Sequence, residues 1–121
     1  MSTLKADVVQ SSTGGATTLT DLYPARAWVN FNAQSTMTVR ASGNTSSMTD
    51  LGTGYYQMNL TTSMVDASYA ISGMSKDGDG LAANLEGYFH INNVSTGSLK
   101  VYNTAQGSAD DTDIGCLLVT R

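Results

Sequence analysis

The stretch from Ser75 to Glu86 has the spacing of a calcium loop. Counted from Ser75, Asp77 and Asp79 are third and fifth, Gly80 is sixth and Glu86 is twelfth. Acidic residues there would wrap a hard cation in oxygens. The first position should be aspartate and is Ser75. The motif also needs a helix on each side, whereas Ala70-Ile71-Ser72 and Gly87-Tyr88-Phe89-His90 read as strand. The expectation is a solvated Asp-Gly turn between strands. Asp110, Asp111 and Asp113 would join such a site only if both loops lay at one end of the fold; otherwise they form a polar loop tip.

Other reactive residues lack the company they need. His90 is the single histidine, with no Ser-His-Asp order and no Gly-x-Ser-x-Gly elbow around it. A glycosidase pair would have to combine Glu86, the single glutamate, with an aspartate, and a small domain offers little cleft for a sugar chain. Cys116 is the single cysteine, so no intrachain disulfide and no CxxC metal site can form. Its apolar surroundings, Ile114 to Val119, predict a small buried hydrophobe. No catalytic, cofactor-binding or metal-binding residue is therefore assigned, no cofactor is expected, and the chain is expected not to be an enzyme. Trp28 with Tyr55, Tyr56, Tyr69, Tyr88 and Tyr102 remains as a possible binding surface for a saccharide or a protein, set against a simpler role in core and rim.

The elements that would position these residues are strands. Ser and Thr make up 30 of 121 residues and Gly adds 12. Good helix formers for exposed positions are almost missing, so composition alone points to an all-β fold. Charged residues are only 13%, well under the roughly 25% of an average soluble domain. Solubility must come from hydroxyls and amides, or part of the surface must be covered by other subunits. The six Lys and Arg are scattered and the net charge is -4, which argues against nucleic-acid binding. No stretch approaches the ~18 apolar residues of a membrane span, so no membrane insertion is expected. The start, Met1 to Asp7, does not have the pattern of a secretory signal.

In chain order, residues 1–26 read as an N-terminal arm. Leu4-Lys5-Ala6-Asp7-Val8-Val9 has the alternation of a strand, and Gln10 to Thr20 is polar, with Gly14-Gly15 inside it. Such a segment cannot bury much alone and is expected to order against a partner. Residues 27–121 form the domain. Ala27, Val29 and Phe31 share a face, with Trp28 capping the core or entering a subunit interface. Met37, Val39 and Ala41 line the next strand. Ser46–Leu51 and Tyr55–Leu60 flank the hairpin loop Gly52-Thr53-Gly54. Tyr69 and Ile71 mark a strand ending near Gly73, followed by a loop from Ser75 to Asn84. Gly87–Asn92 and Ser98–Asn103 form a hairpin around Ser95-Thr96-Gly97. Thr104–Thr112 is a polar loop. Ile114–Val119, apolar on both faces, is central in a sheet or pressed between a sheet and a neighbour. The sum is an antiparallel, jelly-roll-like β-sandwich of about eight strands with an extended arm.

Several of these runs resemble the C-terminal β domain of tail-fibre and virion structural proteins of tailed phages of the marine and cyanobacterial type. They are Ala27-Trp28-Val29-Asn30-Phe31-Asn32, Val39 through Asp50, Gly52-Thr53-Gly54-Tyr55-Tyr56, Asn59 through Met64, Asp66-Ala67 and Tyr69-Ala70, with a last apolar strand ending at Arg121. The opening Ser2-Thr3-Leu4-Lys5 with Gln10-Ser11-Ser12-Thr13-Gly14-Gly15 is similar to that of short members. The resemblance covers nearly the whole chain and is strongest from Ala27 to Ala70. It implies a virion protein made in the host cytoplasm, a homotrimeric fibre or tip that joins other virion proteins through its arm and meets a host glycan or protein. A short arm stands where a fibre would have a long shaft, which brings in a compact knob, an adaptor or a capsid decoration protein as alternatives. A free-standing carbohydrate-binding module is the reading from another class.

Overall fold

The computed structural model describes residues 25–77, 86–105 and 107–121. Of the arm expected over residues 1–26, the first 24 lie outside the described residues, as do residues 78–85 of the Asp-Gly stretch, whereas Ala25 and Arg26 already belong to the first strand. The described chain is all strand, turn and bend, without a helix. In order the strands are β1 (Ala25–Asn32), β2 (Thr38–Gly43), β3 (Thr45–Gly52), β4 (Tyr55–Leu60), β5 (Ala70–Asp77), β6 (Glu86–Val94), β7 (Ser98–Ala105), β8 (Ser108–Ala109) and β9 (Thr112–Thr120). All pairings are antiparallel. They form one sheet in the order β2-β1-β9-β5-β6-β7-β4-β3, with the short β8 beside β7. The expected all-β architecture of about eight strands is what the chain adopts. Its layers belong to a single sheet that rolls over until it nearly closes into a barrel.

Strict alternation fills the interior. Ala27, Val29 and Phe31 of β1, Tyr56, Met58 and Leu60 of β4, Leu99 and Val101 of β7, and Leu117 and Val119 of β9 are all buried in one cluster. Phe31 sits at its centre, edge-on to Tyr56 at 5.3 Å and beside Phe89 at 6.1 Å. Burying one such ring contributes about 1.5–3 kcal/mol.

The sheet closes through the chain itself. Its two terminal strands, β2 and β3, are consecutive, with Asn44 alone between them. Asn44 takes the left-handed conformation, φ 50°, which Asn tolerates better than most residues. Its amide donates to Arg26 O and Thr62 O and accepts from Thr62 N at 2.7 Å. One bent strand thus serves first the β1 edge and then the β4 edge.

Two expectations change. Val39 and Ala41 do not share a face. Ala41 lies opposite Asn30 and Val39 opposite Phe31, so Arg40 is the extra residue of a bulge. Strand β5 does not stop near Gly73 but runs to Asp77. Gly73 marks close approach instead: a Cβ there would meet the Leu117 side chain and the Phe89 ring. In addition, β5 and β6 are paired only at Ser75–Gly87 and Lys76–Glu86. Beyond that zipped end the two strands part.

Candidate functional site

The alternation that buries Leu117 and Val119 turns Ile114, Cys116 and Leu118 of β9 outward. Leu118 lies between Trp28 of β1 and Ser72 of β5, and Cys116 between Asn30 and Met74. Trp28 is 41% exposed, Leu118 38% and Met74 79%. With Cys116 they make a diagonal apolar band across β1, β9 and β5, flanked in the same rows by Ser72 and Asn30. Gly43, the cross-strand partner of Trp28, lets the indole lie on the backbone of β2; a Cβ there would overlap the ring. The band has a charged boundary at each end. At one end Asp113 receives Arg40 at 3.5 Å, Lys76 at 3.8 Å and the Asn32 amide at 3.3 Å. At the other Arg121 pairs with Asp66, and Arg26 donates to Arg121 O. An apolar strip bounded by charge has the anatomy of an interface, hydrophobic at the centre and polar at the rim.

The opposite side of the cylinder differs. Tyr55 of β4 and Tyr102 of β7 are cross-strand partners, their rings 5.6 Å apart. Tyr55 donates to Asn92 at 2.9 Å. Gln57 and Asn59 hydrogen-bond each other, and Asn59 also donates to Ser47 and Thr49. This face is half-buried aromatics among amides and hydroxyls.

A third group closes one mouth of the barrel. Asp111 accepts from the Tyr56 hydroxyl at 3.0 Å and from Gly54 N at 2.8 Å, while Tyr56 accepts from Thr112 N. The buried Asn103 amide donates to Asp110 O and accepts from Ser75. Burial, and after it the Asp111 carboxylate, push the Tyr56 hydroxyl well above its ordinary pKa, against the opposing hydrogen bond from Thr112 N.

Of the calcium-like pattern, Ser75 and Asp77 lie in β5 and Glu86 opens β6, so strands rather than helices flank it. Its remaining residues lie outside the described ones. Asp110, Asp111 and Asp113 are split between separate tasks: Asp110 accepts from Asp111 N, Asp111 holds Tyr56, and Asp113 pairs with Arg40 and Lys76. Among the described residues no three His, Cys, Asp or Glu converge on one point. His90 stands on the outer side of β6, its Nε2 3.0 Å from Thr104 Oγ1. No acidic side chain among the described residues pairs with it. Cys116 is half-buried and faces outward, which corrects the expectation of a core position. Of the six aromatics singled out as a binding surface, Tyr56 and Tyr69 belong to the core, with the Tyr69 hydroxyl on Ser95 O at 2.8 Å. Trp28 and Tyr88 face outward, and Tyr55 and Tyr102 form the pair above.

Sequence reasoning missed Asn44 as a corner and Tyr56–Asp111 as a clasp. The turn-rich Ser42-Gly43-Asn44-Thr45 carried a signal for the first. Nothing local signals the second, which joins residues 55 positions apart.

No family model matches the chain, and neither does any curated protein or solved structure.

Proposed function

We propose that this protein is a structural and adhesive component of a phage particle, a homotrimeric tail fibre, tip or surface appendage whose copies associate through the outer face of β1, β9 and β5. The observation that carries the self-association is the apolar band Trp28–Leu118–Cys116–Met74 on the solvent side of a sheet whose inner face already fills the core. Apolar surface rimmed by charge is how subunit contacts are built. The virion location and the threefold order rest on the resemblance of Ala27–Ala70 to phage tail-fibre domains. Capsid decoration is the alternative position in the particle, and the arm is the proposed link to other virion proteins. Light scattering on the purified protein tests the association: a trimer is expected, and a stable monomer overturns it. Antibody labelling of whole particles tests the location.

A second reading has its own support. The Tyr55–Tyr102 pair with Asn92, Gln57 and Asn59 offers ring faces beside amides, the chemistry that takes sugar rings. A monomer with measurable glycan affinity would favour a carbohydrate-binding module over the assembly reading.

A further inference from the structure

The outer face of β4 and β7 carries more than a pair of rings. Register sets His90 of β6, Tyr102 of β7 and Tyr55 of β4 in one row across three strands. Tyr55 does not stand up from that row. Its backbone belongs to β4, yet its hydroxyl donates to Asn92 on β6 at 2.9 Å, with β7 between the two. The ring therefore lies across β7, one face to the sheet and the other to solvent. The Tyr102 ring, inclined to it by 48°, borders this plate without covering it. An aromatic plate fixed by its own hydroxyl offers a stacking surface to the apolar face of a sugar ring.

The next row supplies polar partners. Gln57 lies in register with Thr49 on one side and Lys100 on the other. The Gln57 amide donates to Asn59, which in turn donates to the hydroxyls of Ser47 and Thr49. All these bonds run in one direction. The Gln57 carbonyl and the two hydroxyl protons are thus left to meet the hydroxyls of a ligand. Lys100 completes the row, two residues from Tyr102 on the same face, about 7 Å along the strand. Arg40, Lys76 and Arg121 are each matched by an aspartate, whereas the Lys100 ammonium has no acidic partner among the described residues. No outward position of β4 or β7 carries a carboxylate. The chain has ten acidic and six basic side chains, so a half-buried cation left unmatched beside a stacking plate selects for negative charge on the ligand.

We infer that this face binds a saccharide bearing a carboxylate: a uronic acid unit whose ring lies on Tyr55 beside Tyr102 and whose acid group meets the Lys100 ammonium. The inference rests on the sugar-binding reading given above and narrows it to one class of ligand. A single ammonium is a point charge that answers one acid group, which fits a uronic acid chain better than a densely sulfated one.

The test is a chemical-shift titration of the isotope-labelled full chain with trigalacturonic acid and with its carboxyl-reduced, neutral twin. Both probes should shift the amide signals of β4 and β7. The acid should bind roughly fivefold tighter, the size of a partly exposed charge pair. Lys100→Met keeps the stem and removes the charge, and should bring the acid down to the affinity of the neutral twin. Equal affinity of the two probes for the unaltered protein overturns the inference and leaves the sugar reading standing. Binding of neither probe overturns both. A preference for the acid that survives Lys100→Met also overturns the inference, and so do shifts confined to another face. Triglutamate binding as tightly as the acidic sugar would do the same, since charge without a ring then suffices. The spectrum of the Lys100→Met protein reports its fold in the same experiment.

Discussion

The outer face of β1, β9 and β5 and the outer face of β4, β7 and β6 stand on one cylinder and share one core. Inward, the two halves match: Val29, Leu117 and Val119 on one side meet Met58, Leu99 and Val101 on the other, all buried. Outward they diverge. One half shows Trp28, Leu118, Cys116 and Met74; the other shows paired tyrosines, Gln57, Asn59 and Lys100. The fold needs only the inner rows. The difference outside is therefore not explained by folding, and it is where a role for the protein can be read.

The comparison breaks most completely at the shared core. Phe31→Ala should cost about 3–5 kcal/mol, as truncation of buried aromatics does, and abolish both faces together. Urea unfolding would record the loss, and a cost under 1 kcal/mol would deny Phe31 its central place.

Tyr56→Phe comes next, at about 1–3 kcal/mol, because Asp111 loses a donor and buried Thr112 N an acceptor. It also has a pH signature. An unfolded tyrosine ionises near pH 10, whereas the folded hydroxyl resists until higher pH. The unfolded state thus sheds a proton first, and stability should fall as pH rises above about 10. The Phe variant should show a shallower fall over the same range in urea midpoints.

Tyr102→Ala, which removes one ring of the half-buried pair, should cost about 0.5–1.5 kcal/mol and leave the oligomer unchanged by light scattering. Leu118→Lys should disturb folding least, by about 0.5 kcal/mol, since the side chain lies on the outer face, where a lysine can reach water without entering the core. Yet it places a charge in the middle of the band and should dissociate the oligomer. The smallest effect on the fold paired with the largest effect on assembly would sharpen the contrast between the faces. An intact oligomer would erase it.

Much of the fold was legible wherever alternation ran unbroken, as in Tyr56-Met58-Leu60 or Leu99-Val101. It failed where one residue broke the period. Arg40 bulges, so Val39 and Ala41 part company although they are two positions apart. Gly73 looked like a strand end because glycine usually weakens strands, while its real constraint is the Leu117 and Phe89 side chains that crowd it. The outer band was half legible. An apolar run on both faces marked β9 as a central strand, but only long-range pairing reveals that Leu118 lies beside Trp28, 90 positions earlier. The parting of β5 and β6 left no trace in the sequence, since both strands continue in their own right on either side of it.

The corner at Asn44 has a consequence for integrity. Among the described residues no backbone ladder joins β2 to β3 at the final seam of the cylinder; the bend at Asn44 holds it, with side-chain bonds from Asn44 to Arg26 O and from Thr45 to Trp28 O. Proteolytic cleavage between Gly43 and Thr45 would let the wall unroll into a ribbon with two raw margins, the shape from which fibrils grow. One asparagine, held by three hydrogen bonds, keeps a closed vessel from becoming a template.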